Sequence, residues 1–373
     1  MLDNEPQHQT DNEAMLLINC LRGQPFVEAK NVNWQSLLEL TQTHRVLPLV
    51  RHLLIERNIE IPDFFDAAAR ECESNAEKLA VELKGLLHQF AERGIDVLPL
   101  KGPVLAEKLY GNVTLRPCDD LDLLVRRQDF ERSGTLLFDM GFVAGTEADD
   151  YQRKFFRDGV LVELNFNVTS PRSFPFDLDG LWSRTHRGRF RDEPMHTMSD
   201  SDLVLFVCLH GLKHWFCRLI WIQDLANALN TMKCEPAELI QTARQKGLEQ
   251  ALLTGCEVVR ETFPQQLPQR MKAVIAESPK AAEQARRAVV QLFAERPETD
   301  NTPEIWRFYL QTEWDVRQKW RRRLSFLTPT IGDYEWAERH RIYRGLAPLL
   351  RPLRLLKKYG LSRAWRILFP PPI

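Results

Sequence analysis

The 373-residue chain carries no CxxC pair among its seven cysteines, and their number is odd. That argues against a disulfide framework and a structural zinc site, and predicts unpaired thiols in a reducing, cytoplasmic setting. No apolar run approaches the roughly 20 residues that cross a bilayer. The opening residues, MLDNEPQHQTDNEA, are polar and acidic where a secretory leader would be basic and then apolar. The Walker loop GxxxxGK[ST], the Gly-x-Ser-x-Gly elbow, HExxH and the HRD and DFG elements of protein kinases are also missing. There is no repeat of 20–50 residues and no low-complexity segment.

What is present describes a soluble globular protein: 44% apolar and 27% charged residues, with a net charge of −1. The charge is unevenly spread. Residues 317–373 hold 14 Lys and Arg against 3 Asp and Glu, which leaves −12 on the first 316. This basic, partly helical tail interleaves its charges with Leu, Trp, Tyr and Phe. Packing on the acidic body is the leading expectation for it. A peripheral membrane surface comes second and RNA or another polyanion third.

Apolar positions recur at helical spacing through residues 13–92, and Gly94 supplies a stop. IDVLPLKG (95–102) then reads as a short strand leading into a helix from Pro103 to about Leu109. LDLLV (121–125) is a second strand, followed by an amphipathic helix over 128–140. YQRKFF and VLVELNF flank Asp158-Gly159, a strong hairpin signal. From Ser199 the pattern is helical again, with Asp200 or Ser201 as the cap. The expected architecture is α+β: an N-terminal helical segment (1–92), a small mixed sheet with flanking helices (93–197), a C-terminal helical domain (198–316) and the tail (317–373).

Three pieces of the central region carry the chemistry. In Leu100-Lys101-Gly102-Pro103 a strand turns into a helix, a pattern that many strand–helix turns without a ligand share. Gly permits the tight turn, Pro suits the first helical position, and the free N–H groups favour phosphate. In Arg116-Pro117-Cys118-Asp119-Asp120-Leu121-Asp122, the carboxylates of Asp120 and Asp122 fall on one strand face while Asp119 points away. Two acids side by side on an apolar strand suit one hard cation such as Mg²⁺, though two solvent-exposed acids at a strand end fit the spacing equally well. Glu163 sits in the apolar run VLVELNF, where a carboxylate without a partner is costly. A third acid on a neighbouring strand is what a two-metal phosphoryl-transfer site needs, although taken by itself Glu163 reads better as a lone surface glutamate. Cys118 has no base near it in sequence and reads as a buried thiol.

Taken together, LKGPVLAEKLYGNVTLRPCDDLDLLV and the later VELNF resemble the uncharacterised nucleotidyltransferase family of the DNA polymerase beta-like superfamily. The resemblance implies that Asp120, Asp122 and Glu163 are the catalytic, metal-binding acids. It also implies that Gly102 lies beside the phosphates of a nucleotide such as ATP, with Lys101 or Arg116 neutralising charge. HGLKHWFCRLIWIQDLANAL (210–229) resembles the family's second block. On that likeness His210, Lys213, His214, Arg218 and Asp224 face the nucleotide or the acceptor. A zinc site built from His210, His214 and Asp224 is the weaker reading, since nothing fixes its geometry.

The implied activity is transfer of a nucleoside monophosphate from an NTP to an unidentified hydroxyl acceptor, with Mg²⁺, or Mn²⁺, as cofactor. Where the family usually has His after the acid and Leu, this chain has Asn165. That departure motivates one alternative, a catalytically inactive nucleotide-binding or scaffold protein on the same fold; a toxin-type enzyme acting on RNA or protein is a separate third reading.

Overall fold

The computed structural model describes residues 5–24, 32–148, 151–169, 177–275 and 278–293, with isolated positions between 336 and 354. The expectations for the tail lie almost wholly outside these residues. The architecture is α+β, with one five-stranded mixed sheet, one two-stranded sheet and flanking helices.

Four helices lead in: α1 (Glu5–Leu21), α2 (Trp34–Thr43), α3 (Leu47–Glu56) and α4 (Asp63–Glu92). Helix α4 buries Leu79, Leu83, Leu86, Leu87 and Phe90 along one stripe. Gly94 (φ 61°) then lets the Ile95 N–H turn back to the Phe90 carbonyl at 3.0 Å. The chain continues through β1 (Val97–Pro99), α5 (Pro103–Tyr110), β2 (Asp120–Val125), α6 (Phe130–Asp139), β3 (Val143–Ala148), β4 (Gln152–Arg157) and β5 (Val160–Asn165). Their order in the sheet is β1-β2-β5-β4-β3. Only the β2–β5 pair is parallel, and it lies at the centre. The β4–β5 hairpin turns at Asp158 and Gly159, both with positive φ, as the Asp-Gly pair predicts.

The sheet separates two apolar clusters. Leu121, Leu123, Val125, Val162 and Leu164 face α4 and α6. On the other face Leu98 and Leu124 join a larger cluster that includes both the N-terminal helices and the helices after the sheet. Strand alternation puts Asp120 and Asp122 on the face of Leu124, so the acids look toward the helices.

Three strands escape the sequence pattern. One is β3; the others are the hairpin β6 (His186–Phe190) and β7 (Glu193–Thr197), which follows the short helix α7 (Leu178–Ser183). Beyond Thr197 come α8 (Asp200–Lys213), α9 (Leu219–Thr231), α10 (Pro236–Gln245), α11 (Glu249–Thr262), α12 (Gln269–Ile275) and α13 (Pro279–Gln291). Ser199, not Asp200 or Ser201, caps α8, its side chain accepting from the Asp202 N–H. Among the described residues no helix is long and apolar enough to cross a membrane.

Candidate nucleotide and metal site

The parallel register of β2 and β5 sets Asp122 directly opposite Glu163. Asp120 stands two residues earlier on the same face of β2. The carboxylate oxygens of Asp120, Asp122 and Glu163 all lie within 4.8 Å of one another, the one such cluster among the described residues. Three hard oxygen donors at this spacing could bind a divalent cation of the Mg²⁺ or Mn²⁺ type.

Electrostatics argue the same way. Burial, then repulsion from Asp122 and Asp120, pushes the Glu163 carboxyl up to about 7. Burial and Asp122 likewise raise Asp120 above the ordinary carboxylate range. Close acids that disfavour each other's ionisation gain most from a bound cation. Two lysines meet part of the charge: Lys101 Nζ lies 2.8 Å from Asp122 Oδ2, and Lys154 Nζ 3.7 Å from Glu163 Oε1. Burial opposes the charge on Lys101, but Asp122, Asp120 and Glu163 outweigh it and hold the ammonium above its usual range.

Lys101 reaches the acids because the Leu100 N–H bonds to the Asp122 carbonyl at 2.9 Å, extending β1 along β2. Gly102 then adopts φ 68°, ψ −142°, a region open essentially only to glycine. A Cβ there would stand 3.4 Å from the Asp120 carbonyl oxygen. The sharp turn requires the missing side chain, and Pro103 starts α5 immediately after it.

Beside the acids opens a cleft of roughly 190 Å³. Lys101, Gly102, Arg116 and Asp120 line it from the sheet side, and His210, His214, Arg218 and Trp221 from α8, α9 and the loop between them. His214 stacks on Trp221 at 4.7 Å between centroids, and the Arg218 guanidinium lies 5.3 Å from the same indole. Burial, reinforced by Lys101, drops His210 well below the ordinary imidazole range, so it is neutral at pH 7. The two histidines pack edge to face at 5.1 Å with the indole beside them. Lys213 is exposed and does not line the cleft.

Arg116 and Asp224, 108 positions apart, are brought together with each other. Arg116 Nε and Nη2 donate to the Asp224 carboxylate at 2.9 and 2.8 Å, and the Tyr110 hydroxyl adds a third bond at 2.7 Å. Arg116 and Asp224 are buried and Tyr110 is half-buried, and together they tie the sheet region to α9. The guanidinium that the sequence assigns to nucleotide charge is thus already bound to a carboxylate. Asn165 is also buried, its side-chain amide donating to the Glu163 backbone carbonyl at 2.8 Å. Burial pushes the Cys118 thiol up to about 11, which leaves no thiolate for chemistry.

The sequence gives no sign of Arg45 or His44. Arg45 enters the cleft from the α2–α3 turn and forms an ion pair with Asp119. His44 Nδ1 accepts the Leu219 N–H at 3.3 Å, and its carbonyl accepts the Ile220 N–H at 3.3 Å, so this turn caps α9. Such partners, some 175 residues apart, carry no local motif.

Residues 30–264 match the family described as uncharacterised nucleotidyltransferase. The chain belongs to that family. The match takes in the acid triad, the Gly102 turn, the cleft and the Arg45 turn alike. No curated protein matches the chain. Among solved structures, the solution structure of the antibiotic-resistance factor ANT(2'')-Ia is similar at 15% identity and a TM-score of 0.33, covering 45% of this chain and 90% of that one. At that level the likeness carries no weight for function.

Proposed function

We propose that the protein is a divalent-metal-dependent nucleotidyltransferase that moves a nucleoside monophosphate from an NTP to a hydroxyl acceptor and releases pyrophosphate. The observation that carries this reading is the convergence of Asp120, Asp122 and Glu163 beside a glycine turn and a basic cleft.

Asp120 and Asp122 would hold two Mg²⁺ ions, with Glu163 completing one of the two sites. Bound there, Mg²⁺ would neutralise phosphate charge and ease ionisation of the acceptor hydroxyl. Gly102 lets the backbone at the start of α5 approach the β- and γ-phosphates without a side chain between them. Lys101, shared with Asp122, would add positive charge where negative charge builds on the leaving pyrophosphate. The acceptor oxygen attacks the α-phosphorus as the bond to the pyrophosphate oxygen breaks, and the hydroxyl proton is lost to solvent or a nearby carboxylate. Catalysis then comes chiefly from positioning and fixed electrostatics.

Under this reading the acids hold metal without help from Asn165. Its amide is engaged with its own strand, and the three carboxylates converge without it. Titration with Mn²⁺, read by electron paramagnetic resonance, tests the metal site directly. The wild type is expected to bind and Asp120→Asn to lose most of the affinity. Equal binding by both would remove the acids from the reading.

A further inference from the structure

Arg45 occupies a position better suited to glycine. It follows the last turn of α2 with φ 58°, its N–H bonding back to Gln42 and that of Val46 to Thr41. This is the left-handed helix-ending site, where any residue with a Cβ is strained. An arginine there has a use for its side chain, and that side chain lines the cleft.

What it meets is Asp119, the acid that points away from the metal pair. Asp119 is 67% exposed at its side chain, and exposed ion pairs add little to stability. Arg218 lines the same cleft from the start of α9, lying against Trp221, and its charge also acts on Asp119, helping Arg45 hold that carboxyl below its usual range. The cleft's other permanent cations are matched, Lys101 by Asp122 and Arg116 by Asp224.

We propose that Arg45 and Arg218 form a seat for a phosphate-type anion, and that Asp119 holds Arg45 until the ligand displaces it. The N-terminal helical segment is then a working part of the site. Guanidinium pairs suit phosphate oxygens by charge and geometry, and exchanging an exposed carboxylate for a phosphate costs little. The anion has two sources under the transferase reading on which this inference rests: the triphosphate of the NTP, or a phosphate on the acceptor.

The probe is inorganic tripolyphosphate, titrated calorimetrically into the full chain with EDTA present. Binding to the wild type is expected to weaken steeply with salt. Arg45→Gly is the decisive variant, because glycine fits the left-handed turn and the fold should be at least as stable. Affinity should nevertheless fall about ten-fold or more, the order expected for a lost charged hydrogen-bond pair. Arg218→Met should act alike. Asp119→Asn should tighten binding several-fold, the opposite of what a purely structural ion pair gives.

No binding by the wild type, no loss in Arg45→Gly, or weaker binding in Asp119→Asn overturns the seat. Repeating the titration with a non-hydrolysable NTP and Mg²⁺ present separates the sources: competition assigns the triphosphate, and undiminished binding assigns the acceptor. Arg45→Gly should bind Mn²⁺ at least as tightly as the wild type, so failure of the metal site and failure of the seat are read separately.

Discussion

Asp122 and Glu163 face each other across the only parallel strand pair of the five-stranded sheet, and Lys101 closes on Asp122 at 2.8 Å. Like charges held at neighbouring register positions on a half-buried sheet oppose folding. Their cost to the ligand-free chain should therefore be measurable.

Glu163 gives that cost a pH dependence. Its carboxyl is pushed up to about 7, so the folded state binds a proton that the unfolded state has released. Stability from this group accordingly declines as pH rises from the ordinary glutamate range to about 7. Glu163→Gln should melt several degrees above the wild type at pH 8 without metal, with the gap closing toward pH 5. Saturating Mg²⁺ should reverse the order. A gap that is constant with pH would mean that Glu163 is not strained by its neighbours.

His44 runs the other way. Burial, then Arg218, lowers its imidazole to about 4, which keeps Nδ1 free to accept from α9. A base with a depressed folded value contributes full stability above about 6.5 and loses it as pH falls toward 4. His44→Leu should cost about 1–2 kcal/mol at pH 7.5, the usual price of a lost helix cap. His44→Asn, which keeps an acceptor near the Nδ1 position, should recover part of it. Chemical denaturation at pH 7.5 and 4.5 checks both, and the wild-type advantage over His44→Leu should shrink at the lower pH.

The Arg116–Asp224 pair is expected to be structural in effect whatever else it does. Removing one member strands the other charge in the interior, so Arg116→Met or Asp224→Leu should each destabilise by about 3–5 kcal/mol. The double variant should lose less than the sum of the two, because no charge is left behind. Urea unfolding of the four proteins tests it, and simple additivity would contradict it.

These cases show what the sequence could and could not reveal. The carboxylate pair, Glu163 in its apolar strand, the Gly102 turn and the Asp158-Gly159 hairpin are local patterns, each fixed by strand periodicity or turn chemistry within a few residues. The β6–β7 hairpin lacked such a signal. Its strands, HRGRF and EPMHT, are polar and largely unburied, and its turn places Arg191 and Asp192, not glycine, at positive φ. Arg116 and Asp224 are each expected from the sequence to face a ligand, whereas the structure has them face each other across 108 positions, and Asp224 does not line the cleft. Arg45 and His44 lie in a turn with no motif and act on partners 74 and 175 positions away.

The central claim is that the three acids hold metal for a nucleoside triphosphate. It is tested most directly by the thermal stability of the wild type and Asp122→Asn with each NTP, with and without Mg²⁺. A ligand that binds only the folded state raises the melting temperature. The account predicts a rise with at least one NTP that requires Mg²⁺ and disappears in Asp122→Asn. A rise of equal size in Asp122→Asn, or one indifferent to Mg²⁺, would contradict it.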